Sequence, residues 1–310
     1  MYADGRRIDE WRATRAESTP EGGPIGHGAT TRTLTRRARG CGGTDGVLMT
    51  GYVFETSDLL DEQRKYMQQS LDPMTIARLE SLEVGPGWRC VDVGGGGGSI
   101  ARWLGERVGD TGHVLVTDVD TGGLAGAHNV TVRLHDIVDD ELPDAEFDLV
   151  HARLVLLHLA QRDRALARMV RALKPGGWLL LVEFDCTWMP VLSAPDDAAE
   201  ALFGRFHEAL CHLLSGSGAD IAWGVRAYRA LQDQGLVEVG NRAHAEAWPG
   251  DSAGCRWLHV NSLQLQEQLI GTGLITDVEL DALRGLLTDP TFVVSSYLTI
   301  STWGRRATAV

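Results

Sequence analysis

The chain has 310 residues, room for two domains or one large one. Hydrophobic residues make up 44% and charged residues 23%, a balance that excludes a largely disordered chain. The formal net charge of −13 argues against nucleic acid or an anionic membrane as the main partner. No apolar run approaches the roughly 20 residues that span a bilayer. The opening MYADGRRIDEWRATRAE has no apolar segment after its charges, so no secretory signal is expected. Five scattered cysteines without a C-x-x-C pair indicate neither a disulfide framework nor a zinc site, and a reduced cytoplasm is the simplest compartment. The 27 arginines against two lysines read as coding bias.

Residues 1–48 are rich in Gly, Thr and Arg and lack a sustained apolar period. They read either as a disordered tail or as sequence upstream of a true start at Met49. From Ser57, SDLLDEQRKYMQQSL reads as an amphipathic helix capped by that serine. Asp72-Pro73 then reads as a cap and a first-turn proline opening a second helix, MTIARLESL. Residues 49–80 would form N-terminal lid helices, ahead of a main domain over 81–310.

Short apolar runs follow at 88–93, 113–119, 130–137, 147–152 and 178–184. Helices are expected between them near Ser99, Gly122 and Gln161, the last stopped by Pro175-Gly176-Gly177. Strands alternating with helices imply an α/β fold built on a parallel sheet. Further on, helices are expected at about 195–215 and 224–233, then a strand over 236–248. A helical stretch at 253–270 and a Thr276-x-x-Glu279 capping box come next. The final strand, 291–304, is expected to lie antiparallel beside its predecessor as an edge hairpin. The helical insertions fall at about 190–233 and 250–290.

The strongest motif is Val91-Asp92-Val93 running into Gly94-Gly95-Gly96-Gly97-Gly98 and then Ser99. Glycines permit positive φ and close backbone approach by a ligand, and the helix N-terminus offers unpaired N–H groups. Gly96-x-Gly98-x-x-Ala101 satisfies a dinucleotide fingerprint but leaves two extra glycines after the strand. The other frame is Asp92-x-Gly94-x-Gly96-x-Gly98. In that frame the sequence resembles the first motif of class I S-adenosylmethionine-dependent methyltransferases. The resemblance extends strand by strand over about residues 80–185.

It implies a Rossmann-like, seven-stranded, mostly parallel sheet with an antiparallel last strand and a helical lid, and S-adenosyl-L-methionine as cofactor. Asp92, Gly94, Gly95, Gly96 and Gly98 would cradle that cofactor. Asp118, with Val119 beside it, would take the ribose hydroxyls. Asp136 and the backbone of Ile137 would take the adenine. Arg153, at the exit of the fourth strand, would lie beside the sulfonium and methionine end. Where metal-dependent catechol methyltransferases place an Asp-Asn pair, this chain has Asp185-Cys186, which disfavours a metal.

Methyl transfer needs an acceptor held in line and, for some acceptors, a base. His151, His158, Asp185 and His207 are the candidate bases. His158 is placed nearest the expected acceptor pocket, and His151, inside a strand, reads as structural. The opening YVF…LLDEQRKYMQQSLDP and the block ARLVLLHL resemble a bacterial small-molecule subgroup that tailors specialised metabolites. Tyr52, Arg64 and Trp188 would then line the acceptor pocket. The implied reaction is methylation of a small aromatic or lipophilic acceptor at O, N or C. A quinone C-methyltransferase is the sibling reading, and an oxidoreductase or a silent cofactor-binding module are the rivals. A homodimer is compatible with this class.

Overall fold

The structure, a computed structural model, describes residues 59–308. The 1–48 tail, Ser57 as a cap and Tyr52 as a pocket residue lie outside the described residues.

The first described helix, α1 (Leu60–Ser81), is continuous through Pro73. The expected break at Asp72 does not occur: the proline forgoes one intrahelical bond, and Asp72 turns sideways to other partners instead of capping. Acidic Asp61 and Glu62 in its first turn and Arg78 in its last complement the helix dipole.

The main sheet follows from the apolar runs. It comprises β1 (Arg89–Val93), β2 (His113–Asp118), β3 (Val130–Leu134), β4 (Phe147–Arg153), β5 (Leu173–Asp185), β7 (Val237–His244) and β10 (Leu298–Arg305). Their order is β3-β2-β1-β4-β5-β10-β7. The first five pair in parallel, and β10 runs antiparallel to both β5 and β7. Strands β1, β2 and β4 are buried on both faces, as central parallel strands must be. Helix α2 (Ser99–Val108) packs on β1 and β2 through Ile100, Ala101 and Leu104, and α3 (Arg162–Ala172) links β4 to β5.

Two expectations are corrected here. First, no helix begins near Gly122. Residues 119–129 form a loop, because Gly122, Gly123 and Gly126 weaken helix formation while Asp118 and Asp120 bind backbone N–H groups of the turn. Second, 291–304 is two strands. β9 (Val293–Ser295) pairs with β6 (Val191–Ser193) and β8 (Ala247–Pro249) in a small separate sheet, and β10 enters the main sheet. The segment 236–248 divides likewise into β7 and β8. Both segments change sheet at one level, where Ser296 N–H donates to the Glu246 carbonyl at 2.8 Å. As expected, the last strand lies antiparallel beside the preceding strand of the main sheet, and this β10–β7 pair closes one edge with β7 outermost.

Helices α4 (Asp197–Gly216), α5 (Trp223–Asp233), α6 (Ala253–Gln264), α7 (Gln266–Gly271) and α8 (Asp277–Leu286) come from the second half. The Thr276–Glu279 capping box forms in full at the start of α8. With α1 and the ends of β5 and β9, α4 and α6–α8 enclose an aromatic-rich core containing Phe184, Phe203, Phe206, Trp248, Trp257, Phe292 and Tyr297.

Candidate functional site

The site begins where β1 ends. Gly94, Gly96 and Gly98 have φ of +69°, +55° and +72°, the alternate glycines of the Asp92 frame. Gly94 and Gly95 N–H donate to the Thr117 carbonyl at 2.7 and 3.0 Å, which holds the loop onto β2. A Cβ on Gly94 would stand 2.4 Å from Val155, and one on Gly95 2.2 Å from Val116, so neither position tolerates a side chain. A Cβ on Gly96 would meet nothing within 4 Å, so the loop presents bare backbone to open space there.

Asp118 ends β2 beside that opening. Its two carboxylate oxygens accept from Gly96 N–H at 2.8 Å and Asp120 N–H at 3.0 Å, fixing it against the loop. Val119 is 66% exposed and Leu134, the register partner of Asp118, is 69% exposed. Two apolar side chains are thus left in water next to Asp118. After β3, Asp136 accepts from Val138 N–H at 2.7 Å, and Ile137 is buried.

One sheet face carries a line of polar groups beneath α1. Asp92 and its register partner His151 are both buried and joined at 2.7 Å through Nδ1, so His151 is committed to Asp92. Two residues further along β4, Arg153 Nη1 donates to Asp72 Oδ1 at 2.8 Å and to Thr75 Oγ1 at 3.3 Å. Ser99 Oγ, at the first residue of α2, donates to the same Asp72 oxygen at 3.1 Å. Arg64 lies over the glycine loop and reaches Asp120 at 3.3 Å, while Gln68 covers Gly97. The structure therefore places Arg64 beside the glycine loop and the Asp120 turn.

The exit of β4 is held from the opposite face. Leu154 adopts a positive φ of 53°, and a 3₁₀ turn, Leu156–His158, follows. Buried Glu183 on β5 accepts the N–H groups of Val155, Leu156 and Leu157 at 3.3, 2.9 and 3.4 Å. Burial pushes its carboxyl up to about 8, against the opposing pull of those donors. His158 closes the turn, where desolvation takes its imidazole down to about 4 and keeps it neutral at pH 7. On α4, His207 Nε2 meets the Cys186 carbonyl at 2.8 Å. A carbonyl only accepts, so the proton sits on Nε2 and Nδ1 is the basic nitrogen. Asp185 accepts from Thr187 N–H and Oγ1, closing a local turn, and Trp188 is 46% exposed beyond it.

Two residues of this site were not singled out in the sequence. Asp72 reads as a helix cap because proline follows it. Glu183 stands inside the apolar run WLLLVEF, and a lone acid in such a run is itself a signal.

Residues 91–181 match the family model described as a methyltransferase domain. A Laribacter hongkongensis protein named ubiquinone/menaquinone biosynthesis C-methyltransferase UbiE is 36% identical over 121 residues, covering 36% of this chain and 50% of its own. The Vibrio parahaemolyticus protein of that name is 31% identical over 161 residues, covering 48% and 57%. The chain thus spans about half the length of the curated relatives it matches. Among solved structures, a Bacillus halodurans protein described as a methyltransferase superposes with a TM-score of 0.50 at 17% identity, over 75% of this chain and 98% of that one. The sheet order, the single antiparallel insertion and this superposition define a Rossmann-like methyltransferase fold.

Proposed function

We propose that the protein is an S-adenosylmethionine-dependent methyltransferase acting on a small organic acceptor. The observation that carries this reading is the glycine loop itself. It opens at Gly96, is anchored by Asp118, and lies within the span that matches the methyltransferase model. The residues fit the cofactor. Asp118 keeps acceptor capacity for a ribose diol, exposed Val119 and Leu134 suit the adenine ring, and Asp136 with the Ile137 backbone suits its edge.

When bound, the sulfonium supplies a methyl group already activated for displacement. The chain's own work is to hold the acceptor in line and to receive a proton where the acceptor carries one. His158, from the β4 exit, is assigned that second role, with His207 Nδ1 as the alternative across the α4 side. Exposed Trp188, just past β5, favours a lipophilic or aromatic acceptor. The names of the curated relatives favour one particular acceptor class, a quinone methylated at carbon. A specialised-metabolite acceptor is the second reading, supported by the resemblance of the N-terminal helix and the ARLVLLHL block. Helix α1, lying over the loop, would act as the lid.

Calorimetry with S-adenosylhomocysteine, NADH and NADPH in parallel tests the cofactor. Binding of the first alone supports the reading, and binding of a nicotinamide cofactor alone overturns it. Label transfer from methyl-labelled cofactor to quinone and phenolic acceptors then tests the class.

A further inference from the structure

We infer that Asp72, from α1, forms with Arg153 a zwitterion clamp that recognises the amino-acid end of the cofactor, Asp72 taking the ammonium and Arg153 the carboxylate. This rests on the cofactor reading above and adds an N-terminal helix residue to that site.

The geometry carries it. Arg153 and Asp72 are largely buried, with side-chain exposures of 9% and 22%, and they share a single hydrogen bond through Nη1 and Oδ1. Ser99 Oγ binds the same oxygen, which sets the pair at the α2 end of the glycine loop. Asp118 holds the middle of the loop through Gly96, on the β2 side. A ligand lying along the loop with its ribose at Asp118 therefore brings its far end to Asp72 and Arg153.

Both partners keep capacity for such a ligand. Among the described residues, Asp72 Oδ2 and Arg153 Nε and Nη2 take no hydrogen bond, and none is closed off from solvent. A purely structural ion pair in so sheltered a place would use its fork fully, since desolvated charge is stabilised by every bond it makes. An α-amino acid group is also neutral overall. Inserting its ammonium at Asp72 and its carboxylate at Arg153 leaves the net charge of the site unchanged, and each ion keeps an opposite neighbour. Because Asp72 belongs to α1, amino-acid recognition would also hold that helix down over the loop.

The test compares two ligands that share adenosine and the thioether and differ in the amino-acid end: S-adenosylhomocysteine and 5′-methylthioadenosine. Affinities are measured by calorimetry on the full chain and on Asp72→Asn, Asp72→Ala, Arg153→Gln and Asp118→Ala. Asp72→Asn keeps the size of the side chain and an oxygen for Ser99, so a folded variant is expected, checked by its melting temperature. The Asp72 and Arg153 variants should weaken S-adenosylhomocysteine by about tenfold or more, the scale of a lost charged hydrogen bond, and leave methylthioadenosine within about twofold. Asp118→Ala should weaken both ligands. Equal loss of both ligands in the Asp72 variants, or no loss of either, overturns the clamp while the cofactor reading stands. A wild-type chain that binds neither ligand overturns the cofactor reading, and the clamp with it.

Discussion

Asp118 accepts two backbone N–H groups and still has lone pairs turned to the open side of the loop. Asp118→Ala should therefore reduce S-adenosylhomocysteine affinity by about 1–3 kcal/mol. Unchanged affinity in a folded variant would remove its assignment. His158 makes a prediction with a pH signature. Its imidazole, held down to about 4 by desolvation, stays neutral from pH 5 upwards. His158→Ala should lower turnover and spare cofactor affinity, and the wild-type acid limb should lie near pH 4. A limb at the ordinary histidine value, removed by the substitution, would show that this imidazole is not desolvated as the structure has it. Glu183 governs stability. Its carboxyl is raised from 4.5 to about 8, so between those values the native chain holds a proton that the unfolded chain has lost. Stability from this group therefore falls as pH rises through that window. In Glu183→Gln this decline should disappear from urea midpoints measured between pH 5 and 8.5. An identical pH slope in both proteins would contradict the assignment.

At the scale of elements, the glycine loop was legible in the sequence because five glycines after an apolar strand have few other uses. The structure adds the reason each matters: Gly94 gives way to Val155, and Gly96 faces open space. Gly94→Ala would need both a positive φ and the displacement of Val155. It should cost about 1–3 kcal/mol of stability and weaken cofactor binding. Thermal unfolding checks the first part, and a melting temperature equal to wild type would show that the loop yields. The five parallel strands and the capping box on Thr276 were equally readable, since each rests on local pattern. What failed was non-local. Pro73 reads as a helix start, and only the pull of Arg153 and Ser99 on Asp72 shows why the helix runs on. The run 291–304 has one continuous apolar pattern, but its partners lie in two sheets. The loop at 119–129 has helix-like spacing, but aspartates at its mouth claim the backbone first.

For the whole molecule, the sheet brings the Asp92 loop, the Asp118 end of β2 and the exit of β4 to one edge, and α1 crosses above them. Ligands of open α/β sheets bind at that edge, where strand order reverses between β1 and β4. The second half of the chain adds helices and an aromatic core beside the β5 end, with His207 stacked on Phe203 there. Its acceptor specificity was not legible, because packing aromatics and pocket aromatics have the same sequence signature. Cofactor identity is the claim on which the rest depends, and it is reached directly by one titration. The full chain is titrated by calorimetry with S-adenosylhomocysteine, and with NADH and NADPH at the same concentrations. Saturable binding of S-adenosylhomocysteine, lost or weakened in Asp118→Ala and absent for both nicotinamide cofactors, is the predicted result. Binding of NADH or NADPH with no heat from S-adenosylhomocysteine would contradict it.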